Sequence, residues 1–187
     1  MANQHLHPLS APEFSPPRYS TRPLPPYRHV PGLTPHPVRD PGGHLYGVEE
    51  AAPSAACRHP LQQWQECTEY LYGADLFNRA FLWEAHEAWE VVWIDAGKST
   101  EPAEFVQGLI QISAALLRRH LGTPRGAENL MTRARTRLHR VEEQLDRAAV
   151  RTYMGLAVRS WRRSVEEYLN EGSGPYPFIH LEVGPPS

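Results

Sequence analysis

Cysteine is nearly absent: the 187 residues hold only Cys57 and Cys67. One such pair makes no disulfide framework, and free thiols in a reducing compartment are the simpler reading. Lysine is scarcer still, with Lys98 alone beside eighteen arginines. Excess charge of one sign is missing too. A formal net charge of −2 sets up no field that would draw the chain to nucleic acid or to a membrane surface. No apolar run reaches the roughly 18 residues needed to cross a bilayer, and no apolar signal core opens the chain. The expectation is therefore a soluble cytoplasmic protein. The alternating, β-branched runs that build sheets are lacking. So is a glycine-flanked nucleophile elbow, and neither cysteine has an arranged histidine partner for nucleophilic catalysis. What is present is 41% hydrophobic residues, enough for a core, in a length that suits one domain with tails.

Proline concentrates in the first sixty residues, a composition that excludes interior helices and central strands. Residues 1–17 are expected to be disordered. Residues 18–59 form a proline-rich arm. Its part from Pro25 to Tyr46 sets Tyr27, His29, Val30, Leu33 and His36 around a turn at Asp40-Pro41-Gly42-Gly43. That mixture predicts an extended segment packed along a helical core.

The core itself spans residues 60–171. A first helix is predicted from Pro60 to about Asn78, with Gly73 as a kink point and Asn78 ending it in a left-handed conformation. A second covers 81–95 and closes at Gly97. Ser99 or Thr100 caps a third, with Glu101 and Pro102 in its first turn. This third helix is apolar nearly all round to Leu117, the mark of a central element, and Gly108 leaves room on it for a close neighbour. Thr123-Pro124 opens a fourth helix, running to about Asp146, and a last one covers 158–170. Residues 172–187 are an extended tail. The prediction is an all-α, antiparallel bundle of about five helices carrying an extended N-terminal arm.

The second helix holds the chemistry. In FLWEAHEAWEVVW, residues 81–93, helical spacing puts His86 on the side of Leu82, Trp89 and Trp93, with Glu90 one turn further along. Glu84 and Ala88 point the other way. A histidine and a carboxylate inside an apolar stripe need partners or a metal. Gln107 and Gln111, four apart on the third helix, are the candidate partners. The run His86-Glu87-Ala88-Trp89-Glu90 is similar to the zincin helix motif, with Glu90 where the second histidine would stand and Glu87 in the place of the base. It lacks the paired Glu-x-x-His of a di-iron bundle. His36, Asp40 and His44 are ligand types that the arm could deliver to His86. His120 ends the third helix on a different face from Gln107.

Seven arginines between 118 and 140 face a single acid, Glu128, but Glu142, Glu143 and Asp146 follow directly. No aromatic residue is interleaved, so the pattern reads as a solvated helix face and not as a nucleic-acid surface.

LFNRAFLWEAHEAWEVVW followed by FVQGLIQISAALLRRHLGTPRGAENL resembles the bacterial and archaeal family known as domain of unknown function 309 (DUF309). The resemblance rests on Phe77-Asn78, Glu84 to Glu87, Gln107 to Gln111, His120 and Gly126-Ala127, over roughly residues 64–145. Ala80 stands where the family often has glycine, and Gly122-Thr123 where it usually has glycine-asparagine. The resemblance implies a small all-helical fold and no particular activity.

Two function classes follow. One is a metal-dependent, hydrolase-like enzyme acting on a small substrate in a cleft between the arm and the second and third helices. His86 and Glu90 would be ligands to zinc, manganese or iron, His36 or His44 would complete the set, and Glu87 would be the base. Glu84, Asp40, Gln107, Gln111 and His120 would support it. The other is a non-enzymatic scaffold or small-ligand binder that forms a homodimer, in which the polar cluster is structural.

Overall fold

Proline and glycine punctuation sets the helices. A computed structural model describes residues 16–49, 52–171 and 175–182. A 3-10 helix, Ala55–Arg58, leads into α1, Pro60–Gln63. Then follow α2 (Thr68–Phe77), α3 (Leu82–Asp95), α4 (Glu101–His120), α5 (Pro124–Ala148) and α6 (Val158–Glu171). Among the described residues there is no β-strand, only isolated bridges joining Leu156 to Tyr153 and to Leu181. The all-α, helix-on-helix architecture is the expected one. No helix among the described residues is long and apolar enough to cross a membrane. The expected disorder of residues 1–17 lies outside the described residues, except for Pro16 and Pro17.

α4 is the central element. Thr100 caps it, its hydroxyl accepting from Ala103 N–H at 3.4 Å. Phe105, Leu109, Ile112 and Leu116 are buried along it, and it packs against α3, α5 and α6. Gly108 is where α5 comes closest: a Cβ there would lie 2.8 Å from Leu138. Gly97 and Gly122 end α3 and α4 with positive φ of 85° and 70°. Several arginines of α5 are spent between helices. Arg137 pairs with Glu104 of α4, and Arg135 with Glu166 of α6 at 2.8 Å. Glu142, almost fully buried, accepts from Arg162 at 2.7 Å.

The structure corrects four local expectations. The first predicted helix is broken at Trp64–Cys67, so α1 and α2 are separate. That break folds the chain back and brings the Cα atoms of Cys57 and Cys67 to 5.1 Å, where the two sulfurs are paired. An unbroken helix would hold residues ten apart about 15 Å from each other. The pairing takes away the free thiols on which the expectation of a reducing compartment rested. Gly73 does not kink α2. It makes a seat for the Trp89 indole, which a Cβ would approach to 2.2 Å, and Trp89 Nε1–H donates to Tyr70 O at 3.2 Å.

Asn78 is right-handed rather than left-handed, with φ −61°. Its buried amide clamps the C-terminal tail instead: Nδ2 donates to Ile179 O at 2.8 Å, and Oδ1 accepts from Ile179 N–H at 2.7 Å. The left-handed residue is Ala80, with φ 58°. This conformation is strained for any residue with a Cβ, which gives a physical reason for the glycine that the resemblance would place here.

The arm crosses α2 and α3. Asp75, fully buried on α2, accepts from Tyr19 N–H at 2.8 Å, from Ser20 N–H at 2.9 Å and from the Ser20 hydroxyl at 2.6 Å. Further along, Tyr72 O–H donates to Pro23 O at 2.9 Å and Arg28 Nε–H to Arg79 O at 2.9 Å. Val30 is buried. Gly43 N–H donates to Asp40 O at 2.8 Å, closing the turn at Asp40-Pro41-Gly42-Gly43.

Candidate functional site

α3 is covered on two sides, and this decides where its polar groups sit. Leu82, Ala85, Trp89 and Val92 are its buried core-facing residues. Sequence phasing centred that stripe on His86, but His86 lies at its edge, half-buried. The side assigned to solvent is roofed by the arm, so Glu84 is only 6% exposed. Its Oε1 accepts from His29 N–H at 2.7 Å, while Oε2 has no hydrogen-bond partner. Burial pushes the Glu84 carboxyl up to about 7. The His29 N–H, the backbone of Glu84 itself and the charge of Arg28 hold it back, and Glu87 pushes it further.

Glu84 stands in the wall of a cleft of about 510 Å³ between the arm and the two helices. The arm contributes Arg22, His44 and Glu49, α2 contributes Glu69 and Tyr72, and α3 contributes Trp83, Glu84 and Glu87. Leu76, Ala88 and Val91 make its apolar floor. Arg22 lies over the Tyr72 ring, 4.5 Å from its centroid. The His44 ring packs edge-on against Tyr27, its Nδ1 is buried without a partner, and burial lowers its pKa. A mostly apolar cleft with a few converging polar groups and a perturbed carboxyl has the make-up of a small-molecule site.

The predicted site residues fall into separate places. His86, Glu87 and Glu90 come together: one ligand-type atom from each lies within 4.8 Å of the others, with His86 Nε2 3.9 Å from Glu90 Oε2. Burial lowers the His86 pKa, and Glu90 opposes that shift. Glu87 is exposed and belongs both to this trio and to the cleft. Gln111 is buried with its Oε1 unpartnered, and Gln107 is half-buried. No hydrogen bond among the described residues joins either glutamine to His86 or Glu90. His36 and Asp40 line an open depression on the arm itself. There His36 N–H donates to Asp40 Oδ2 at 2.6 Å, and the His36 ring rests edge-on to Trp83 at 5.3 Å. Among the described residues His36 and His44 join no metal-ligand trio with His86. His120, at the end of α4, has a partnerless Nε2. The residues that sequence reasoning passed over are His29, Tyr72 and Asp75, together with Glu84 in the role it takes here. Their one signal was the proline-rich arm, which had to cover some face of the helices.

Residues 70–130 match the model of the family described as Domain of unknown function (DUF309). No curated protein and no solved structure matches the chain. The matched segment includes most of α2, all of α3 and α4, and the start of α5, so it supplies one wall of the cleft while the arm supplies the other. Over residues 70–130, within its helical core, this chain is similar to the DUF309 family.

Proposed function

We propose that the protein binds a small organic molecule in the cleft between the arm and α2 and α3, with Glu84 as the group that exchanges a proton with it. One observation carries this reading: a carboxyl 6% exposed, with one oxygen unpartnered, in the wall of a cleft of about 510 Å³. A carboxyl poised near neutral pH can give or take a proton with little driving force in either direction. Titration with the uncharged dye Nile red, read by fluorescence and by native mass spectrometry, should show one saturable site. Ala88→Trp introduces an indole into the cleft from a half-exposed helix position and should abolish that binding while preserving the fold. Unchanged dye binding in Ala88→Trp would defeat the reading.

The trio His86, Glu87 and Glu90 favours a second reading, a divalent metal beside the cleft that supports hydrolase-like chemistry on a small substrate. His86 and Glu90 would bind the metal and Glu87 would be the base. All three come from one helix and are at most half-buried, so solvent would have to fill the remaining coordination positions. Under this reading the melting temperature of the wild type rises with zinc, manganese or iron concentration by mass action, and His86→Ala loses the response. A wild type indifferent to all three metals leaves the trio as a helix-surface contact.

A further inference from the structure

The charges around the cleft are unbalanced. Four lining groups are carboxylates, Glu49, Glu69, Glu84 and Glu87, and one is a guanidinium, Arg22, while the charge of Arg28 also acts on Glu84. Glu69 is already occupied, since it accepts from Ser54 N–H at 3.2 Å and from the Thr68 hydroxyl at 3.0 Å. Glu84 is buried with a free oxygen. Arg22 is not turned onto these acids. It lies on Tyr72, which shows that the aromatic wall of the cleft accepts a cation. His44 adds no charge at neutral pH, because burial holds its pKa below the usual histidine value.

Resting on the reading of the cleft as a small-molecule site, we propose that its ligand is an organic cation, a protonated amine on an apolar or aromatic body. The cationic end would meet Glu84, and the body would lie against Trp83, Tyr72 and Val91. An anion would enter a cleft whose surplus charge repels it, and desolvation by the arm strengthens that repulsion. A bare metal ion is a poorer occupant, because no trio of described residues that includes Glu84 brings its ligand atoms within 4.8 Å. Separated carboxylates beside aromatic faces suit a charge spread over a larger group.

The test uses the full-length chain at about pH 8. Three probes compete with Nile red: benzyltrimethylammonium, its uncharged carbon isostere neopentylbenzene, and benzoate. The cation should bind about tenfold more tightly than the isostere, as one charge-assisted contact would provide, and benzoate should not compete. Glu84→Gln should remove about that tenfold advantage and leave the isostere's affinity unchanged. Arg22→Gln should bind the cation more tightly, because a like charge leaves and the Tyr72 face opens. Equal affinity for cation and isostere, or a cation affinity indifferent to Glu84→Gln, overturns the assignment and leaves the cleft standing. If neither the three probes nor Nile red binds, the cleft reading falls with it.

Discussion

Asp75→Ala should release the first part of the arm and lower stability by about 3 kcal/mol or more. The carboxylate is fully buried and gathers three donors from the arm, at 2.6–2.9 Å, with Arg18 Nε 3.5 Å away. Hydrogen bonds to an ionised acceptor contribute more than neutral ones, on the order of 1.5–3 kcal/mol each. The sum is not lost in full, because the Tyr19 and Ser20 amides are only part-buried and can turn to water once the arm lifts. Tyr72 would keep its bond to Pro23 O, and Arg28 its bond to Arg79 O, so the arm would fray from its N-terminal end. Urea denaturation measures the total. Amide hydrogen exchange locates it: Tyr19 and Ser20 should lose protection while α4 keeps its own. Intact protection at those two amides would show that the arm is held by its apolar contacts and by Tyr72, and that Asp75 is dispensable.

What could be read from sequence divides along a physical line. Helix ends are local, so Thr100 with Pro102, Gly97 and Gly122 marked them correctly, and the all-round apolar run of the third predicted helix identified α4 as central. Contacts across the chain left no local trace. On helical spacing alone, Glu84 belongs to a polar face, and only the arm laid over that face buries it. Asn78 read as a helix terminator because the tail it clamps, around Ile179, lies a hundred residues away. The apolar stripe of α3 was phased about one residue off because Ala85, small and uninformative, marks its centre while the large Trp83 and Trp93 sit at its edges. With the stripe correctly placed, Glu84 rather than His86 is the buried polar group of α3. The Cys57–Cys67 pairing was missed for a related reason: nothing in the sequence announces the break at Trp64–Cys67 that brings the two together.

Glu84→Gln should make the protein more stable at about pH 8, by up to about 3 kcal/mol, and leave it unchanged near pH 5. The Glu84 carboxyl moves from its ordinary value of 4.5 to about 7 on folding, chiefly through burial. In the unfolded chain it ionises near 4.5, and in the folded protein near 7. Between those values the folded state holds more protons than the unfolded state, so stability falls as pH rises through that window. The penalty is complete above about pH 7 and absent below about pH 4.5. Glutamine never ionises, and its Oε1 can still accept from His29 N–H. Arg28 and the His29 N–H favour the ionised form, and Glu87 opposes it, while Tyr72 lies near enough to feel the charge. Urea denaturation of the two proteins from about pH 5 to about pH 8.5 should therefore give a stability difference that grows with pH. A variant less stable than wild type at pH 8 would mean that attraction to Arg28 outweighs burial and that Glu84 is an ordinary ion-paired carboxylate. If the gain appears, the chain keeps a destabilising acid where glutamine would fit. On the proposed reading that acid serves a ligand, so the stabilised variant should also be the one that has lost its preference for the organic cation.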